Sequence, residues 1–123
     1  MRQALLLLGA ISLAIGLVMV VAPGTFIDEV APFGSGSDDH FIRDLSTYQL
    51  AVGAGLVLAI RRVSWRVPVL FVSFLQGVLH TINHLVDIGD TDPGWLGPFD
   101  FVALLLLTVI TGWVLGEAAR IAR

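Results

Sequence analysis

The chain has no cysteine and no lysine, and charged residues fill only 14% of its 123 positions. Without cysteine there is no disulfide framework, thiolate metal site, cysteine-held iron–sulfur cluster or thiol redox motif. Seven arginines stand against ten acids, a net charge of −3, which offers no basic face for nucleic acid. The charged share is about half of the roughly 25% usual in soluble domains, too little to cover a water-facing surface. Apolar residues make up 56% and mean hydropathy is +0.88, which excludes disorder. The length fits one unit, a single membrane domain over residues 1–123. The solvent that matches this composition is a bilayer.

Four stretches are long enough to cross it. Residues 3–22 carry no charge and have the length of a helix spanning a hydrocarbon core. This run is longer than the apolar part of a signal peptide, and Pro23 directly after Val21-Ala22 makes a poor cleavage site, so it reads as an uncleaved anchor. A second span covers 41–60, with Arg43 and Asp44 near its start. A third covers 65–86, with Pro68 in its first turn, where a missing N–H costs little. A fourth covers 98–116, opened by Pro98. The expected architecture is an all-α, antiparallel four-transmembrane-helix bundle.

Charge sets the orientation. Arg2, Arg61, Arg62, Arg66, Arg120 and Arg123 fall on one side of this arrangement, opposed only by Glu117. The other side holds nine of the ten acids, with Arg43 as its single cation. Arginine accumulates on the cytoplasmic side, so both termini are expected in the cytoplasm, with the loops 23–40 and 87–97 outside. Trp65 and Trp113 fall near the cytoplasmic interface and Trp95 near the outer one, as an aromatic belt requires.

Small residues recur three or four apart in every span: Gly9/Ser12/Gly16, Ala51/Gly55/Ala59, Ser73/Gly77 and Thr108/Gly112/Gly116. Such spacing lets helix backbones approach. In the first loop, Thr25 to Asp28 resembles a capping sequence for a short interfacial helix. Gly34 to Ser37 reads as flexible, and Ser37 or Asp38 as a cap for the second span.

Polarity enters the apolar spans at one end. Gln76, His80, Asn83, His84 and Asp87 share a face of the third span. His40, Arg43, Asp44, Thr47 and Tyr48 form a stripe at the start of the second, and Asp100 opens the fourth at the same level. Ionisable groups there turn inward and pair, so Arg43 is expected against Asp87, Asp100 or Asp39. His80 and His84 are expected within reach of Asp44, Thr47 or Tyr48. One reading of this cluster is structural. The other is a site: His80 and His84, at i and i+4, can direct two imidazoles at one metal ion, with Asp44, His40 or Asp87 as a third ligand. His40 with His80 or His84 could instead hold haem, and histidines beside carboxylates suit a quinone headgroup. The spacing lacks the glutamate of the HExxH peptidases. No nucleophile–base–orienter set is present, and Ser12, Ser73, Thr108 and Thr111 read as packing or backbone-bonding residues.

Three features together resemble the DoxX-like and related four-helix bacterial membrane proteins. They are the first span ending in Ala22-Pro23 with Phe26 following, Arg43-Asp44 leading into LAVGAGLVLA, and a third span ending in histidines. The resemblance covers most of the chain. It implies an integral four-helix bundle of the bacterial inner membrane, in some cases linked to quinone or respiratory chemistry. Separately, the stretch from His84 to Gly89 resembles part of the haem-anchoring helix of succinate dehydrogenase membrane subunits, with Asn83 where those have Arg.

The sequence therefore reads as a small integral membrane protein with a polar cluster at its extracytoplasmic end. It is expected to act as an accessory or binding subunit, with the bilayer and a homo-oligomer or larger membrane complex as partners. The alternatives are a redox-linked subunit holding haem or quinone and a metal-dependent membrane enzyme.

Overall fold

The structure is a computed structural model describing residues 1–30 and 39–122. The expected flexible segment at Gly34 to Ser37 and the caps at Ser37 or Asp38 lie outside the described residues. The described residues are all-helical: α1 (Arg2–Val21), α2 (Pro23–Glu29), α3 (Asp39–Arg61), α4 (Arg66–Val86) and α5 (Leu96–Ile121), with a 3-10 turn at Val63–Trp65 before α4.

The helix ends follow local chemistry. Ala22, with φ −136°, leaves the helical region and ends α1. Pro23 then opens α2 from its first position, where a missing N–H costs nothing. A short helix is thus present over the stretch that includes 25–28, started by proline and not by a Thr25 cap. At the other end of the molecule, Arg66 reaches back from α4 to the last turn of α3. Its Nε donates to Ala59 O at 3.1 Å and its Nη2 to Ile60 O at 3.2 Å, satisfying carbonyls that a helix C-terminus leaves without partners. Between α4 and α5, the Gly97 N–H donates to Thr91 Oγ1 at 2.9 Å. A Cβ at Gly97 would lie 2.2 Å from Ile88 O, so this turn requires glycine.

Two antiparallel pairs build the fold: α1 packs along α3, and α4 along α5. Glycine sets the first pair. A Cβ on Gly53 would lie 2.9 Å from the backbone N of Leu13, one on Gly9 3.2 Å from Gly53 O, and one on Gly16 3.2 Å from the Leu50 backbone N. Backbone meets backbone here, as small-residue spacing allows. In the second pair Gly112 admits the Phe74 ring, and Gly77 admits the Thr108 hydroxyl. Gly116, expected on the same face, has nothing near its Cβ position, and Gly55 meets only Val69, at 3.4 Å.

The two pairs join at the arginine-rich end. Leu5 and Leu8 of α1, Leu56 and Ala59 of α3, Leu70 of α4, and Val114 and Ala118 of α5 form one buried apolar cluster there. The outward surface is apolar as well: Leu7, Leu17, Phe71, Leu79, Leu106 and Val109 are all exposed. Only 11% of the most apolar window in the Val63–Val86 stretch is buried within the molecule. Its side chains therefore need an apolar surrounding.

Among the described residues three helical stretches are long and apolar enough to cross a membrane, Arg2–Val21, Val63–Val86 and Leu96–Ile121. Four were expected. α3 has the length, 23 residues, but Asp39, His40, Arg43, Asp44 and Gln49 dilute its first half.

Candidate functional site: a polar cavity between the helix pairs

Beyond the apolar cluster the pairs flank a half-open cavity of about 100 Å³, with the exposed His80 at its edge. All four long helices supply polar groups to it: Ser12 from α1, Gln49 from α3, Ser73, Gln76 and His80 from α4, and Thr108 and Thr111 from α5. Ile11, Ile15, Val52, Leu56, Leu104 and Leu107 make up apolar wall. No lining residue carries a fixed charge.

The hydroxyls are mostly committed. Ser12 Oγ donates to Gln49 O at 2.9 Å and lies 3.2 Å from Gln49 Oε1, tying α1 to α3. Ser73 donates to Val69 O and Thr111 to Leu107 O, each at 2.8 Å within its own helix. Thr81 donates to Gly77 O at 2.8 Å, and its Oγ1 lies 3.2 Å from that of Thr108, a buried link between α4 and α5. Gln76 Nε2 lies 3.5 Å from His80 Nδ1. With the amide donating, the imidazole proton sits on Nε2. The His80 Nε2–H thus remains available to a ligand, and so does the Gln49 side-chain NH2, whose Oε1 already faces Ser12. Neutral donors and acceptors in an apolar wall suit an uncharged hydrogen-bonding ligand.

Of the residues expected to cluster, His80 and Gln76 line this cavity and the rest of the set divides. His84 stacks on His80, ring centroids 4.7 Å apart at 24°, and Asn83 is exposed. Asp87 closes α4 through its N–H to Asn83 O. Tyr48 lies in a different groove, on the outside of α3 and α4 with Trp65. His40 and Asp44 lie 3.6 Å apart, and Thr47 bonds Asp44 O, all on the exposed face of α3.

Arg43 meets Asp39 at 3.6 Å, one turn back on its own helix, the third of its three expected partners. Asp100 does not take that role: its buried Oδ2 has no hydrogen-bond partner among the described residues. The expected metal trio of His80, His84 and Asp44 is not assembled. Asp44 turns to His40, and among the described residues no three His, Asp or Glu side chains come together to hold an ion.

The stripe on α3 fails as an inward face for a simple reason. Ile42, Ser46, Gly53, Leu56 and Ala59 are the buried face of that helix, and positions 40, 43, 44 and 47 lie away from it. Gln49 was missed because it follows Tyr48 in a polar run. The signal that could have found it is its spacing to Val52 and Leu56, at i+3 and i+7 on the inward side.

Among the described residues, fold and cavity together define an all-α arrangement with three helices long and apolar enough to cross a membrane and a neutral polar site between two antiparallel pairs. No family model, curated protein or solved structure matches the chain.

Proposed function

We propose that the chain is a four-span protein of the bacterial cytoplasmic membrane, with both termini in the cytoplasm. It serves as an accessory or binding subunit, and its inner cavity takes a small uncharged polar molecule or the edge of a headgroup. The observation that carries this reading is the convergence of neutral hydrogen-bonding groups from all four long helices on one cavity. Polar groups placed at membrane depth are costly unless they meet partners.

The fourth span is α3. It runs antiparallel to α1 in backbone contact, and residues 45–60 carry no charge. If α1 and α4 both cross, a helix joining the far end of α1 to the near end of α4 crosses between them. Six arginines on one side support the orientation, and the DoxX-like resemblance points to the same membrane.

A quinone is the second reading. Gln49, Gln76 and His80 are the donors that a quinone carbonyl accepts from, and the wall is apolar. Because about 100 Å³ is less than the roughly 150 Å³ that admits a benzene, a quinone would enter by one carbonyl edge alone, with its ring outside the recess, and a haem does not suit the space.

The test is to purify the protein from its own membrane and measure its visible spectrum, its metal content and its solvent-extractable small molecules. Near-stoichiometric extractable ligand, depleted in Gln49→Leu, is expected. Wild-type protein that carries nothing beyond what Gln49→Leu carries overturns the binding reading and leaves a structural network.

A further inference from the structure

A second recess lies on the outside of the molecule, between α3 and α4. It has a volume of about 640 Å³, within the roughly 300–1,000 Å³ of small-ligand sites. Tyr48, Ala51 and Gly55 of α3 form one wall, with Trp65, Pro68 and Val72 opposite. The polar side-chain atoms among the lining residues are confined to the two ends: the Tyr48 hydroxyl at one, Ser64 and the Trp65 indole at the other.

The Ser64–Trp65 end adjoins the cationic end of the chain. Arg61 and Arg62 lie three and two residues before Ser64 and are exposed, whereas Arg66 is held by the α3 carbonyls. No acid lies between Gln49 and Val86 in the chain, and Glu117, at the same end, is taken by Arg120. From Arg61 back to Tyr48 the helix rises roughly 20 Å, and one leaflet of hydrocarbon is about 15 Å deep. The recess therefore has the reach of an acyl chain, with cations at its interfacial mouth and an apolar channel below them.

We infer that this groove holds an anionic phospholipid of the cytoplasmic leaflet, with an acyl chain along Gly55 and Val72 and the phosphate at Arg61 and Arg62. Gly55 matters because its missing side chain leaves room: a Cβ there would sit 3.4 Å from Val69 in ordinary contact, and anything larger extends into the recess. Polybasic interfacial clusters attract anionic lipid, and tryptophan favours the same level. The inference rests on the membrane-spanning reading but not on any ligand in the inner cavity.

The experiment uses the full chain with Trp95 and Trp113 replaced by Phe, so that Trp65 is the sole reporter. It is reconstituted into phosphatidylcholine vesicles containing either acyl-brominated phosphatidylglycerol or acyl-brominated phosphatidylcholine. Quenching of Trp65 is expected to reach its half-maximum at an about fivefold lower mole fraction of the anionic lipid. R61Q/R62Q should abolish that preference. Gly55→Leu should abolish it too, although both arginines remain. Equal quenching by the two lipids in the wild-type background overturns the inference and leaves the spanning reading intact. No quenching by either lipid overturns both. A preference that survives Gly55→Leu but not R61Q/R62Q reduces the effect to surface attraction and overturns the groove.

Discussion

Ser12 on α1 donates to the Gln49 carbonyl on α3 at 2.9 Å, and the Gln49 side-chain oxygen lies 3.2 Å from the same hydroxyl. One hydroxyl proton is thus shared between two oxygens of the neighbouring helix, at the wall of the cavity. Ser12→Ala should cost about 0.6 kcal/mol, the average for an interhelical hydrogen bond in a membrane protein. Ser12→Leu should cost more, because the site is only 8% exposed and overpacking adds about 1–3 kcal/mol. Reversible unfolding in mixed micelles measures both. Equal losses would place Ser12 outside the α1–α3 contact.

Glycines of the same spacing should separate sharply. Gly53→Ala drives a Cβ to 2.9 Å from the Leu13 backbone N, whereas at Gly116 a Cβ meets nothing within 4 Å. The first should destabilise by about 1–3 kcal/mol, and the second should be neutral or slightly favourable, since alanine is the better helix former. Comparison of thermal melts of the two variants checks this, and a reversed order refutes the observed α1–α3 crossing.

The Thr81–Thr108 link is testable as a pair. Thr81→Val, Thr108→Val and the double variant should show a coupling of about 0.6 kcal/mol, and no more than about 1.7. Zero coupling in the double-mutant cycle would mean that the 3.2 Å contact contributes nothing beyond packing.

Arg66 and Arg61 carry the same charge in the same region but do different work. Arg66→Gln removes two donors from the α3 C-terminus and should lower stability by about 1.5 kcal/mol. Arg61→Gln should leave stability within about 0.5 kcal/mol. Hydrogen exchange adds a local readout: protection in the last turn of α3 should fall in the Arg66 variant alone.

Orientation follows from a chain with no native thiol to interfere. Single cysteines at Asp90 and Arg120 should react with an impermeant maleimide from opposite sides of the membrane, Asp90 from outside. Labelling of both from the same side would remove the four-span arrangement.

Helix positions were legible in the sequence because membrane crossing demands long uncharged runs bounded by proline, glycine and charge. The run at 3–22 ends at Pro23, and the observed α1 stops at Val21. Third-span limits of 65–86 match an observed helix at Arg66–Val86. The fourth runs longer than expected, to Ile121, because Glu117 and Arg120 pair along the helix and do not interrupt it.

Pairing was not legible, since the small-residue spacing was alike in all four spans and gave no reason to prefer any two. The α1–α3 crossing uses Gly53, outside the Ala51/Gly55/Ala59 set, because backbone approach depends on the crossing point. The candidate site was half legible. Gln76 and His80 stood out as polar residues within an apolar run, whereas Gln49 and Ser12 acquire meaning only once α1 and α3 are aligned. Charge misled most at Arg43 and Asp44, which meet Asp39 and His40, each one turn back on their own helix.

The order of helices along the chain bears on biosynthesis. On the four-span reading, α3 is the segment least able to partition into lipid alone, with Arg43, Asp44 and Gln49 each adding an insertion penalty. α1 leaves the ribosome before α3 and is the most apolar of the candidate spans. By the time α3 emerges, the Gly9 and Gly16 backbone and the Ser12 hydroxyl are already at membrane depth, ready to receive Gly53 and Gln49. The early helix acts as a docking template for the reluctant one, so a circularly permuted gene that places α3 ahead of α1 would ask the translocon to insert α3 without that help.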